Sequence, residues 1–229
     1  MAVILSLETS TSVCSAAIAR NGKLIDSKIS FENKSHATLL TVFVKELLKK
    51  NNIQPSELDA VAVSKGPGSY TGLRIGVSTA KGICYALNAK LLAIDTLKSM
   101  AIMASQKLNE KPDIFCSMID ARRMEVYTAL YNANLEQIKD TQALIVDNNS
   151  FSELLQNNKI VFYGDGADKC KQVISSPNAL FLEDIYPLAE NMVELAETAY
   201  LQSDFVDVAY FEPFYLKDFV ATVSKHKVL

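Results

Sequence analysis

The sequence has no tryptophan, and only two histidines and four cysteines among its 229 residues. His36 and His226 are too few for a His-rich metal site, and no Ser/His/Asp triad can be assembled around them. Cys14, Cys84, Cys116 and Cys170 stand far apart without a C-x-x-C pair. That spacing excludes a disulfide framework or cysteine zinc site and suits reduced core thiols of a cytosolic protein. An excess of either charge is also missing, since 23 basic residues face 26 acidic ones for a net −3. A strongly basic nucleic-acid binder and a polyacidic tail are thereby excluded, although a local basic patch is not. No apolar run approaches the roughly 18 residues of a membrane span. The opening MAVILSLETS lacks a basic n-region and turns polar by Ser6, so no signal peptide is expected. The expectation is a cytoplasmic protein with no membrane partner.

What is present is ordinary for a globular protein: 49% of the residues are hydrophobic, enough for a substantial core. At about 150 residues per domain, the length suits one large domain or two small ones. The run Val3 to Leu7 has strand length and no polar alternation except Ser6, as a strand buried on both faces would. Val13 to Ala19 and Leu24 to Ser30 flank Asn21-Gly22, the strongest short-range hairpin signal. Ser35 to Lys50 reads as a helix capped by Asn33 or Ser35, with Lys45, Lys49 and Lys50 complementing its dipole. Its Leu39, Leu40, Phe43, Val44, Leu47 and Leu48 form a stripe wider than one sheet contact needs. A buried strand at Leu58 to Val63 leads into Gly66-Pro67-Gly68-Ser69-Tyr70-Thr71-Gly72 and a helix to about Leu87. A strand at Lys90 to Ile94 and a helix at Thr96 to Asn109 follow, and the alternation argues for α/β architecture.

After Pro112 the pattern restarts. Ile114 to Ile119 ends at Asp120, Ala121-Arg122-Arg123-Met124 turns, and two further strands flank Asn132-Ala133-Asn134. A gapless shift of 112 residues places Glu8 on Asp120 and Cys14 on Val126. Two similar halves facing each other across a cleft are expected, each with an acidic turn at its mouth. We assign residues 1–110 to the first lobe and 111–229 to the second, with the last residues packing back on the first. A strand at Ile160 to Tyr163, a Gly164-Asp165-Gly166 turn, a helix from about Pro187 to Leu201 and an aromatic stretch at Phe211 to Lys217 complete the chain.

Several motifs carry two readings. The Gly66 to Gly72 loop could hold an anion at a helix N-terminus, but it matches neither G-K-[ST] nor G-x-G-x-x-G, and a tight turn explains it equally. Gly72, Gly76, Ala80 and Cys84 form a ridge almost without side chains, where each glycine costs a helix about 1 kcal/mol. Close packing on the sheet explains the ridge, and so does close approach of a partner helix. Glu8 and Thr9, with Asp120, Gly164, Asp165 and Gly166, could surround a metal-bound nucleotide, or could be self-satisfied turns. Arg122 and Arg123 read as a solvated pair, with phosphate contact as the alternative. His36, with no Cys, Asp or second His near it in sequence, reads as a surface or interface residue.

Ile4-Leu5-Ser6-Leu7-Glu8-Thr9-Ser10-Thr11, the run Gly66 to Gly76, and Asp120-Ala121-Arg122-Arg123-Met124-Glu125-Val126-Tyr127 form a distinctive set of motifs, to which Gly164-Asp165-Gly166-Ala167 and Pro213-Phe214-Tyr215-Leu216 add. In these the chain resembles the bacterial TsaB (YeaZ) family nearly end to end. The resemblance implies a two-lobed actin/Hsp70-like (ASKHA, ribonuclease H-like) α/β fold. It also implies a role in forming N6-threonylcarbamoyladenosine beside the tRNA anticodon. In that pathway TsaC makes threonylcarbamoyl-AMP, the related TsaD transfers the carbamoyl group, TsaB pairs with TsaD, and the ATPase TsaE joins them. The catalytic relative's N-H-L-E-[AG]-H motif corresponds here to Asp95-Thr96-Leu97-Lys98-Ser99-Met100. Thr96 and Met100 stand where the two metal-binding histidines would be, and neither replaces an imidazole.

The reading is therefore a non-catalytic subunit with no metal and no cofactor of its own, ATP or ADP being expected only at the partner interface. His36, Leu39, Leu40, Phe43, Tyr70, Gly72, Arg74, Gly76 and Ala80 are the expected partner-binding residues. Without the TsaD-type partner the same face would form a homodimer, and tRNA would be met only through the complex. A bulky residue at Gly76 is expected to abolish pairing while leaving the monomer folded. The competing readings are a self-standing ATPase or phosphotransferase using Glu8 and Asp120 around Mg²⁺, and a metallopeptidase, which the missing histidines disfavour.

Overall fold

A computed structural model describes residues 2–32 and 35–217. Asn33, one of the two expected helix caps, and everything after residue 217, His226 included, lie outside the described residues. The first lobe is a five-stranded sheet in the order β3-β2-β1-β4-β5. Its strands are β1 (Val3–Glu8), β2 (Cys14–Arg20), β3 (Lys23–Ser30), β4 (Ala60–Gly66) and β5 (Lys90–Asp95). β1 pairs antiparallel with β2 and parallel with β4, and all six of its residues are buried. That central place explains the continuous apolar run at the start of the sequence.

The second lobe repeats the plan. Its strands β6 (Ile114–Asp120), β7 (Glu125–Asn132), β8 (Gln137–Ile145), β9 (Ile160–Tyr163) and β10 (Ala179–Leu182) are ordered β10-β9-β6-β7-β8. β6 takes the part of β1, antiparallel to β7 and parallel to β9. Two halves with one topology are thus observed, and Glu8 and Asp120 end equivalent strands.

The helices interlock the halves. α1 (His36–Lys50) and α2 (Tyr70–Leu87) cover one face of the first sheet, where Leu40, Val44, Leu47, Val77 and Ala80 pack on Val3, Leu5 and Leu7. α3 (Thr96–Lys107) leaves its own lobe: Leu97, Met100 and Ala101 pack against Phe115, Ile119 and Tyr163 of the second sheet. α6 (Val193–Leu201), entered through a 3-10 turn at Ala189–Met192, crosses the other way, with Met192 and Ala196 against Ile4, Ala62 and Leu92. Each large apolar side chain among these contributes about 1.5–3 kcal/mol when taken out of water, so the exchanged helices bind the two halves together. α4 (Ser152–Asn157) and α5 (Ala167–Cys170) cover the remaining face of the second sheet.

Three expectations need adjustment. The helix expected from Pro187 is a 3-10 turn followed by the shorter α6. Ser35 occupies the N-cap position of α1, but its hydroxyl donates back to the Glu32 carbonyl and caps nothing. The strand β10 and the short helices α4 and α5 were not expected. After α6 the chain returns to the first lobe: Val206 N–H donates to the Leu91 carbonyl, and Phe214 N–H to the Lys65 carbonyl at 2.7 Å.

Candidate functional site

The turn after β1 is the centre from which the candidate residues radiate. Glu8 is fully buried, and its Oε1 accepts from Ser10 N–H at 2.6 Å and from Ser64 Oγ at 3.0 Å. Its Oε2 has no hydrogen-bond partner among the described residues. Burial pushes its carboxyl above the ordinary carboxylate range, against the bonds from Ser10 and Ser64 that pull the other way. The protein thus buries its own carboxyl group in this turn and satisfies one of its two oxygens with Ser10 and Ser64.

The glycine-rich loop is clamped onto the same turn. Ser69 N–H donates to the Ser10 carbonyl at 2.6 Å, and Thr9 Oγ1 to the Gly72 carbonyl at 2.8 Å. A Cβ at Gly72 would lie 2.1 Å from the Thr9 carbonyl oxygen, and one at Gly76 would lie 2.3 Å from Thr9 Oγ1. Here lies the main correction to the sequence reading. The ridge Gly72, Gly76, Ala80 and Cys84 faces inward, and its absent side chains let α2 seat on the β1–β2 turn. Gly72, Gly76 and Ala80 are buried and not open to a partner. A bulky residue at Gly76 would strike the core, so the expectation that the monomer stays folded fails as well.

His36 is a second correction. It is buried, not a surface residue, and its Nε2 lies 2.9 Å from the Thr11 carbonyl, tying the first turn of α1 to the β1–β2 turn. Leu40 is likewise in the core, whereas Leu39 and Phe43 are half-buried. What the two helices leave exposed is a partly different set: the expected Arg74 on α2, together with Ala37, Thr41 and Val42 on α1 and Thr71 and Ser78 on α2. A shallow groove of about 470 Å³ runs between them, lined by Ala37, Tyr70, Thr71, Arg74, Ser78 and their neighbours. Arg74 donates to the Tyr70 hydroxyl at 3.0 Å, and the Tyr215 ring lies 4.9 Å from the Tyr70 ring. The sequence predicts that the last residues pack back on the first lobe, but it does not place Tyr215 beside this groove. The signals for it are the aromatic richness of residues 211–217 and the Pro213-Phe214-Tyr215-Leu216 motif.

The other candidate residues gather in the second lobe, apart from Glu8 and Thr9. Asp120 N–H donates to Asp165 Oδ1 at 3.0 Å, and Lys169 reaches both the Asp120 carboxylate and the Glu125 carbonyl. Gly164 and Gly166 press on β6: a Cβ at Gly164 would lie 2.2 Å from the Met118 carbonyl oxygen. The G-D-G turn thus has a packing explanation that requires no ligand. Thr96 and Met100 are both buried at the junction of the lobes. Among the described residues, no three His, Cys, Asp or Glu side chains are gathered as a metal site.

Two mixed sheets of one topology, flanked by helices and joined by exchanged ones, define a two-lobed α/β protein of the actin-like class. Its likeness to solved structures narrows that class. The crystal structure of an uncharacterised protein with similarity to peptidase YEAZ from Pseudomonas aeruginosa superimposes with a TM-score of 0.84, at 27% identity, covering 95% of this chain and all of that one. YeaZ from Pseudomonas aeruginosa gives 0.83, again at 27% identity, over 94% of this chain and all of that one. In sequence, the tRNA threonylcarbamoyladenosine biosynthesis protein TsaB of Bacillus subtilis is 32% identical over 177 residues, 75% of this chain and 74% of that relative. Its Escherichia coli counterpart is 28% identical over 225 residues, 95% and 96% of the two chains. The family model for TsaD, tRNA N6-adenosine threonylcarbamoyltransferase, matches residues 30–225. The chain belongs to the TsaB (YeaZ) family, whose members carry the name tRNA threonylcarbamoyladenosine biosynthesis protein. No helix among the described residues is long and apolar enough to cross a membrane.

Proposed function

We propose that this chain is a non-catalytic subunit that binds and activates a TsaD-type transferase. The observation that carries the reading is the filled β1–β2 turn. Glu8 is buried with its Oε1 bound by Ser10 N–H and Ser64 Oγ, and Thr9 ties the glycine-rich loop to the same turn. An enzyme working on phosphates keeps donors free for its ligand, whereas here they are taken up by the chain itself. Thr96 and Met100, at the positions the resemblance gives to histidine ligands, are buried and offer no imidazole.

The partner would dock on the exposed faces of α1 and α2, along the groove from Ala37 to Ser78. Tyrosine and arginine, the residues enriched at binding hot spots, stand at its rim as Tyr70 and Arg74. Gly82 supports the same face, because a Cβ there would meet nothing within 4 Å. Among the described residues, no contact compensates the roughly 1 kcal/mol that a helical glycine costs. Any ATP or ADP would sit at the partner interface, a TsaE-type ATPase would join the pair, and the same face would form a homodimer in the partner's absence.

The test is threonylcarbamoylation of tRNA by the TsaD-type enzyme from the same organism, with TsaC and TsaE supplied, with and without this chain. Modification that requires the chain and survives Glu8→Gln supports the subunit reading. Equal modification without the chain refutes it. ATP turnover by the isolated chain, lost in Glu8→Gln, would establish the ATPase reading in its place.

A further inference from the structure

The loop between β6 and β7 is built at a cost that its role as a turn does not explain. Arg122 and Arg123 both adopt the left-handed conformation, with φ of 72° and 49°. For residues with a Cβ this conformation is unfavourable, and glycine or asparagine takes it most readily. The same chain shows the inexpensive solution: the β2–β3 hairpin uses Asn21 and Gly22, with φ of 53° and 69°. At the β6–β7 loop, two arginines are held in the same left-handed conformation instead. Strain that persists at an exposed loop points to a function for the side chains.

Their surroundings say what kind. The loop is pinned from several sides: Arg122 N–H donates to Asp120 Oδ1 at 2.9 Å, and Ala121 N–H to the Glu125 carbonyl at 3.0 Å. Lys169 pairs with the Asp120 carboxylate, and Lys217 with that of Glu125. The carboxylates nearest in the loop are therefore already neutralised by lysines. Both arginines are exposed, and neither guanidinium has a hydrogen-bond or ion-pair partner among the described residues. The result is two uncompensated, planar forks on a backbone fixed in advance. A guanidinium binds phosphate oxygens in bidentate fashion, and a fixed frame lowers the ordering cost of binding.

We infer that Arg122 and Arg123 contact the phosphodiester backbone of the RNA substrate once the chain is assembled with its catalytic partner. The inference rests on the reading that the chain works in a tRNA-modifying assembly. Its net charge of −3 fits a local contact within a complex better than RNA binding by the chain alone.

The test uses the assembled complex, a fluorescein-labelled unmodified tRNA transcript and anisotropy titrations at several salt concentrations. The informative variant is Arg122→Asn with Arg123→Gly, which copies the relaxed Asn21-Gly22 backbone. It should melt above the wild type and still assemble, yet bind tRNA more weakly. The slope of log affinity against log salt should fall by about 1.4 to 1.8, as expected for two lost phosphate contacts. An unchanged slope in a complex that still needs the chain for modification would overturn the RNA contact and leave the subunit reading intact. Loss of assembly would assign the arginines to the protein interface, and weaker binding of a fluorescent ATP analogue alone would assign them to a nucleotide; either result overturns the inference. A variant that melts below the wild type would remove the strain on which it stands. If the wild-type chain does not raise modification at all, the underlying reading fails first.

Discussion

Gly76→Ala should destabilise the protein even though alanine is the better helix former. The added Cβ would lie 2.3 Å from Thr9 Oγ1 and 3.5 Å from Val63 Cγ2, where ordinary contacts begin near 3.5 Å. Thr9 must then rotate or withdraw, and its 2.8 Å bond to the Gly72 carbonyl breaks. Overpacking of this kind costs about 1–3 kcal/mol, and a buried hydroxyl left without a partner costs about 1–3 more. The gain in helix propensity offsets about 1. A net loss of about 1–5 kcal/mol follows, or a melting point lower by roughly 2–20 °C for a chain of this size. Gly82→Ala, on the exposed side of the same helix, meets open space and should gain up to about 1 kcal/mol. The assay is urea unfolding followed by far-ultraviolet circular dichroism. A cycle with Thr9→Ala isolates the contact, since the smaller side chain makes room for the new Cβ. The double variant should be more stable than additivity predicts by at least about 1 kcal/mol. Gly76→Ala within about 0.5 kcal/mol of the wild type, or strict additivity with Thr9→Ala, would refute the account of the ridge as a seat for Thr9.

Three further outcomes are expected. Ser78→Arg, on the exposed face of α2, should leave the melting curve unchanged and abolish co-elution with the TsaD-type partner in gel filtration; retained co-elution would place the docking face elsewhere. Glu8→Gln should match the wild type in stability near pH 4 and exceed it increasingly at higher pH. Burial raises the folded-state value of Glu8 above its ordinary 4.5, so the favourable proton-bound state is complete below the unfolded value and is lost as pH rises through the folded one. Parallel stability curves from pH 4 to pH 8 would show that the carboxyl is not desolvated. Burial also pushes Cys14 and Cys84 to about 11 and Cys116 to about 12. A thiol reagent at pH 8 should label these only after unfolding, and rapid native labelling would contradict their packing.

Strand and helix identities were legible in this sequence wherever burial is continuous. Val3 to Leu7 announced a central strand, Asn21-Gly22 a hairpin, and the spacing of Leu40, Val44 and Leu47 a helix against a sheet. The elements that escaped are short or half-exposed, such as β10 and α4. They are held by the second lobe's core rather than by their own pattern. The weak repeat between Glu8 and Asp120 was enough to expect two halves, because equivalent strands retain their acidic ends even where little identity survives.

Sequence alone determined the composition of the site, namely Glu8 beside Thr9, a glycine ridge on one helix and an arginine pair after Asp120. It also fixed the absence of histidine at positions 96 and 100. The direction in which these groups face was decided only by the tertiary structure. A ridge of small residues has the same sequence whether it receives a partner or its own sheet. α2 turns it inward because the β1–β2 turn closes on it through Thr9 and Ser10. For the same reason His36 and Leu40 lie in the core, while Arg74 and Ser78 remain on the surface. Helical periodicity tells which residues share a face, and only the packing of α1 and α2 on β1 tells which face meets water.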